Sequence, residues 1–104
     1  MRKNYNKLIR DKIPELIEES GRQVSTKKLS QEEYLQALID KIVEEINDYR
    51  SSENEEEIAD IYEVLDCLVE LKEYEPMHID YLRMKKRDAQ GSYKDRILLE
   101  YVEE

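Results

Sequence analysis

Residues 41–71 have the sequence KIVEEINDYRSSENEEEIADIYEVLDCLVEL, which predicts two helices folded back on each other. The predicted link between them is the polar run 51–54. On each helix a glutamate and an aspartate stand three residues apart, and residues at that spacing share a helix face. The four acids are, in chain order, Glu45, Asp48, Glu57 and Asp60.

The two acidic pairs lie at equal distances from the centre of the link. An antiparallel hairpin therefore brings the four carboxylates to two adjacent levels and forms a cage of oxygen atoms. Mg²⁺ prefers oxygen ligands, so the spacing predicts a magnesium site with Glu45, Asp48, Glu57 and Asp60 as ligands. The alternative is a solvated acidic surface, because 26 Asp and Glu residues produce many such pairs by chance.

The apolar pattern of the second helix favours the metal site. Its apolar positions cover a wide arc, with Glu57 inside the arc and Asp60 near its edge, while Glu45 lies at the margin of the first helix's apolar stripe. A carboxylate on an apolar face must be paired, protonated or bound to a metal, because burying it alone is costly. The wide arc also predicts burial on a second side, and hence a homodimer or higher homo-oligomer.

The rest of the chain predicts two further helices. Asp11 is a candidate cap for the first, which ends near Gly21, and the fourth covers about 78–89. Ser30 and Glu33 form a capping box before the helix of about 31–50, while Ser52 and Glu55 suggest another that opens the third helix, which continues through about Tyr74. We therefore expect a mainly α fold, an antiparallel bundle of about four helices in a single domain, 1–104. A short two-stranded β element is expected from residues near 23–28 and 96–102.

Composition argues against two classes of partner. The net charge of −9 argues against a nucleic-acid polymer or an anionic membrane, because phosphate backbones require clustered cations. Phosphate-bearing substrates remain compatible with it, because a bound metal reverses the local charge. No stretch resembles a signal sequence or a membrane span, and a lone cysteine excludes an internal disulfide. These features predict a cytoplasmic protein.

Three stretches carry a resemblance to a known superfamily. The paired E-x-x-D motifs look like the metal-binding signature of the all-α nucleoside triphosphate pyrophosphohydrolases. The opening YNKLIRDKIPE, residues 5–15, and the ending GSYKDRILLE, residues 91–100, resemble the small MazG-like, phosphoribosyl-ATP-pyrophosphohydrolase-like branch. Three features depart from that pattern: Asp48 stands where a glutamate is usual, Gln90 stands where an arginine is frequent, and the gap between the acidic pairs is shorter by about one helical turn.

The resemblance implies Mg²⁺-dependent, or Mn²⁺-dependent, hydrolysis of a nucleoside triphosphate, including non-canonical ones, to the monophosphate and pyrophosphate. It implies Glu44 as a catalytic base or a support for the ligands, and a set of cations as phosphate contacts. Those cations are Lys7, Arg10, Lys12, Lys86, Arg87 and Arg96. Their alternative is an ordinary surface role, with the basic N-terminus balancing the acidic helices. Two other functions stay open: phosphoribosyl-ATP pyrophosphohydrolase activity, and a non-catalytic helical module that binds nucleotide or protein.

Overall fold

The computed structural model describes residues 1–103, and its regular structure is entirely helical over that range. Four helices follow one another: α1 Ile13–Glu19, α2 Gln31–Ser52, α3 Glu55–Leu71 and α4 Pro76–Gln90. The chain divides into two compact units, Met1–Glu73 with α1 to α3 and Tyr74–Glu104 with α4. The mainly α prediction with four helices is thus confirmed.

The predicted β element is not found, because neither 23–28 nor 96–102 forms a strand within residues 1–103. Residues with a high strand propensity form a strand when a neighbouring strand satisfies their backbone hydrogen bonds and covers their side chains. In the C-terminal segment the apolar side chains are instead exposed, as Ile97 and Leu98 show with 86% and 84%. Local composition alone was the basis of this prediction, and it was insufficient.

The start of α2 follows the predicted capping box. The Ser30 hydroxyl accepts a hydrogen bond from the Glu33 backbone N–H at 3.2 Å, and the Glu33 carboxylate accepts one from the Ser30 N–H at 3.0 Å. The hydrogen bond from the Ser30 backbone is the main reason that the pKa of Glu33 is lowered. Two otherwise unpaired backbone donors are satisfied in this way, which fixes the first turn of α2.

The link between α2 and α3 is shorter than predicted. It contains only Glu53 and Asn54, because both preceding serines continue α2. Glu53 ends α2 in the left-handed conformation with φ of 51°. Asn54 then caps α3 by accepting from the Glu56 N–H at 2.9 Å, so the predicted cap by Ser52 was wrong. The Ser52 hydroxyl accepts from the Asn54 N–H at 3.1 Å and stabilises the turn.

Smaller differences affect the other helix ends. Lys12, not Asp11, occupies the N-cap position of α1, and it makes no side-chain capping bond. The third helix ends at Leu71, three residues before the predicted Tyr74. In the second unit, α4 begins at Pro76, two residues before the predicted start, because proline suits the first turn of a helix.

The core of the first unit lies where α2 and α3 pack against each other. Leu38 is only 1% exposed, and Ile61 and Val64 of α3 are each 9% exposed. One charged residue, Glu45, is buried with them at 6%. Among the described residues, no helix is both long enough and apolar enough to cross a membrane.

Candidate metal centre

Three acids from the two hairpin helices converge beside this core. Glu45 of α2 and Glu57 and Asp60 of α3 each offer a carboxylate oxygen, and these oxygens all lie within 4.8 Å of one another. We call this group the acid cluster. Glu57 and Asp60 are half-buried, so the cluster opens toward solvent on the α3 side.

Glu45 is the unusual member of the acid cluster. Its Oε2 atom is buried and has no hydrogen-bond partner, and its Oε1 atom lies 3.5 Å from the Lys41 ammonium. Burial raises the pKa of Glu45, and the neighbouring Glu57 and Asp60 carboxylates raise it further against the opposing effect of Lys41. An unsatisfied buried acceptor costs about 1–3 kcal/mol. A proton or a cation at this oxygen would remove that cost.

The acid cluster fits a divalent cation with a preference for oxygen. The atoms that would bind the metal are all carboxylate oxygens. Such ligands suit Mg²⁺ and Mn²⁺ and do not suit the metals that prefer sulfur or imidazole. The buried Oε2 of Glu45 is an acceptor without a donor, as expected of a ligand atom. Exposed acidic groups are common without any metal, so the burial of Glu45 is the feature that distinguishes this group from a solvated surface.

Asp48, the fourth predicted ligand, lies outside the acid cluster. It is exposed on α2, one turn closer to the link than Glu45. A spacing of three residues leaves two side chains about 60° apart around a helix axis, so a shared face does not by itself bring both of them into the cluster. The charge of Asp48 contributes to raising the pKa of Lys7. Asp48 therefore acts on Lys7, whose partner Glu44 lies outside the cluster.

Two cations of the N-terminal segment that were predicted to contact phosphate pair instead with acids of α2 and α3. The Arg10 guanidinium donates a hydrogen bond to Asp60 Oδ1 at 2.6 Å, and the Lys7 ammonium donates one to Glu44 Oε1 at 2.9 Å. These hydrogen bonds are the main reason that the pKa values of Arg10 and Lys7 are raised. Both cations act here as counter-ions of the acidic helices. This is the role predicted from the sequence as the alternative to phosphate contact.

Lys12 differs from these two cations. It is exposed at the start of α1 and forms no ion pair within residues 1–103. The remaining predicted contacts belong to the second unit, where all three are exposed. Lys86 and Arg87 lie on α4, and Arg96 lies beyond it with a left-handed φ of 60°. Their contact with phosphate stays a prediction.

Glu44 is held between two lysines. Its carboxylate accepts from Lys7 at 2.9 Å and from Lys41 at 3.1 Å. Burial by itself would raise the pKa of Glu44, but the hydrogen bonds from Lys7 and Lys41 outweigh burial and lower it. Glu44 is therefore ionised at neutral pH, with both oxygens engaged. This arrangement positions Lys41 beside Glu45, and a role for Glu44 as catalytic base stays a prediction.

Lys41 is the site residue that sequence reasoning missed. Its side chain is only 17% exposed, and it contacts Glu44 at 3.1 Å and Glu45 at 3.5 Å. The available signal was its spacing, since positions three and four residues apart are neighbours on a helix. That signal is weak in a chain in which 41% of the residues are charged.

Comparison with known proteins adds no family. No protein-family model matches the chain, and neither the curated proteins nor the solved structures give a match.

Proposed function

We propose that this chain is a Mg²⁺-dependent nucleotide pyrophosphohydrolase, which cleaves a nucleoside triphosphate, including non-canonical ones, to the monophosphate and pyrophosphate. The observation that carries the proposal is the buried Oε2 of Glu45, which has no partner and lies beside Glu57 and Asp60. The resemblance to the MazG-like branch supports the choice of substrate class. The lone cysteine and a nucleotide substrate both suit the predicted cytoplasmic location.

In this proposal Glu45, Glu57 and Asp60 hold the cation, with Asp48 as a fourth ligand by sequence and Mn²⁺ as an alternative to Mg²⁺. When bound, the ion supplies charge neutralisation for the phosphates and acidifies a water molecule. The chain's own cations have a different task. Phosphoryl chemistry depends mainly on positioning and charge stabilisation, and Arg10 is the more exposed of the two described cations, Arg10 and Lys41, that pair with an acid of the cluster.

A nucleotide panel tests the proposal. We expect pyrophosphate release from at least one nucleoside triphosphate in Mg²⁺, and none from the same nucleotide in EDTA. The panel includes common nucleotides, oxidised and deaminated ones, and phosphoribosyl-ATP, and pyrophosphate is measured by a coupled assay. Release from phosphoribosyl-ATP alone would assign the histidine-biosynthesis reaction. Binding of a nucleotide without release from any compound would contradict an enzyme and favour the binding module.

We also propose a homodimer formed through an exposed apolar stripe on the hairpin. The stripe consists of three residues of α2 and two of α3, with exposures of 41–69%: Ile39, Val43, Ile46, Tyr62 and Leu65. Apolar residues at helical spacing that do not face their own core are typical of a helix covered by a second partner. A symmetric pair of such hairpins would bury the stripes against each other.

Val43→Lys is expected to weaken the dimer at least about tenfold, because a charge buried without a partner in an apolar interface costs more than 1.4 kcal/mol. Val43 is 54% exposed, so the single hairpin should tolerate the change. Sedimentation equilibrium gives the dissociation constant, and circular dichroism checks the helix content. Ser51→Lys, which adds the same side chain at another exposed position of α2, is the control. A native chain that sediments as a monomer at all concentrations would contradict the interface.

A further inference from the structure

Arg10 and the proposed cation compete for the same carboxylate. The guanidinium of Arg10 contacts Asp60 Oδ1 at 2.6 Å, and Asp60 is one of the three acids that converge within 4.8 Å. A divalent ion held by Glu45, Glu57 and Asp60 would lie close to this guanidinium. Two cations at such short range repel each other strongly, particularly beside a partly buried group.

The contact that Arg10 makes is easily exchanged. The Arg10 side chain is 59% exposed and that of Asp60 is 34% exposed, so water is available to both partners when they separate. Ion pairs of this exposure contribute little to stability, because water screens both charges. Lys41 is different, because its side chain is only 17% exposed and stays between Glu44 and Glu45. Of the cations that contact the acid cluster, Arg10 is therefore the one free to leave.

We propose that Arg10 is an exchangeable counter-ion, which neutralises Asp60 until a divalent cation binds the acid cluster and then turns to an anionic ligand beside that cation. The inference rests on the proposed function in one respect, that the acid cluster binds a divalent cation. The displaced guanidinium carries a planar set of donors suited to two oxygens of a phosphate group. The ligand class is therefore a diphosphate or a polyphosphate.

Coupling between the two ligands follows from the exchange. Once the cation has displaced Arg10, an oxyanion no longer has to break the ion pair with Asp60. Linkage requires the converse as well, so a bound polyphosphate raises the affinity for the cation by the same factor. Lys7 does not take part in this exchange, because its partner Glu44 lies outside the acid cluster.

Manganese binding to the full chain tests the exchange without any measurement of turnover. Arg10→Gln is expected to bind Mn²⁺ about threefold to fivefold more tightly than the native chain, because the competing ion pair is gone. Arg2→Gln removes the same side chain from an exposed position of the same segment, and it should stay within about twofold of the native affinity. Free Mn²⁺ is measured by electron paramagnetic resonance, and circular dichroism confirms folding.

A second titration adds inorganic pyrophosphate at saturating Mn²⁺. We expect Arg10→Gln to bind pyrophosphate at least about threefold more weakly than the native chain and Arg2→Gln. Equal or weaker Mn²⁺ binding by Arg10→Gln, or unchanged pyrophosphate binding, would overturn the exchange and leave the metal site intact. Absence of Mn²⁺ binding in the native chain and in both variants would overturn the exchange together with the proposed function.

Discussion

Glu57→Gln is expected to lower Mg²⁺-dependent pyrophosphate release by about a hundredfold or more. Glu57 is half-buried and shares a 4.8 Å group of oxygens with Glu45 and Asp60. Loss of a group that merely orients a metal ligand lowers metal affinity or activity by about 10–100-fold. Loss of a ligand itself should lower activity by at least as much. The amide of glutamine keeps the shape of the side chain but removes the charge that attracts the cation.

The comparison depends on two further variants. Asp60→Asn should give a loss of similar size, although it also releases Arg10. Glu56→Gln is the matched control, because Glu56 is the preceding residue on α3 and its side chain is exposed. Initial rates are measured at saturating Mg²⁺ on the best nucleotide of the panel. Release that survives both Glu57→Gln and Asp60→Asn would exclude the acid cluster as the catalytic metal site.

Glu45→Gln is expected to stabilise the chain in EDTA and to abolish its stabilisation by Mg²⁺. The change removes a buried charge whose Oε2 atom has no partner, which should raise the free energy of unfolding by about 1 kcal/mol or more. For a domain of this size, 1 kcal/mol corresponds to about 4–8 °C in Tm. The native chain should gain about 2.7 kcal/mol at a Mg²⁺ concentration of 100 Kd, and the variant should gain none.

The effect of pH distinguishes this explanation from a general change in packing. The pKa of Glu45 is raised above 4.5 in the folded chain, so the folded chain holds this proton more tightly than the unfolded chain. In EDTA, stability should therefore fall as pH rises from the unfolded pKa through the raised folded pKa. The advantage of Glu45→Gln should be absent well below pH 4.5 and complete above the folded pKa.

Urea unfolding between acid and neutral pH, in EDTA and in Mg²⁺, measures both parts of this prediction. Glu70→Gln serves as the control, because it removes a charge from an exposed position of α3. A lower stability of Glu45→Gln than of the native chain in EDTA at neutral pH would contradict an unsatisfied charge at this position. Equal responses of the two chains to Mg²⁺ would remove Glu45 from the ligand set.

The hairpin and the three members of the acid cluster could be predicted from sequence because both depend on helical periodicity. The position of Glu57 inside an apolar arc, with Asp60 near its edge, distinguishes these two acids from the others of α3. The burial of Glu45 was underestimated, since a helical wheel gives an angle but not the depth of the facing helix. Asp48 illustrates the converse, because a shared face does not guarantee a shared contact.

Other features depended on contacts that spacing does not contain. The pairing of Arg10 with Asp60 joins residues 50 positions apart, and no local pattern indicates it. The predicted β element failed for a related reason, because strand propensity says nothing about whether a partner strand exists. The position of the turn depended on Asn54 competing successfully with Ser52 as a cap, although both residue types are good caps.

The short turn of Glu53 and Asn54 also limits which insertions the hairpin can accept without separating its acids. One residue inserted into either helix between the turn and the acids would rotate the more distant acids by about 100°, and Glu45 would no longer meet Asp60. Insertion of about one helical turn into each of α2 and α3 would keep the acids facing each other and move them further from the hairpin tip. The distance between the acid cluster and the hairpin tip can thus change only in steps close to one helical turn, about 5.4 Å.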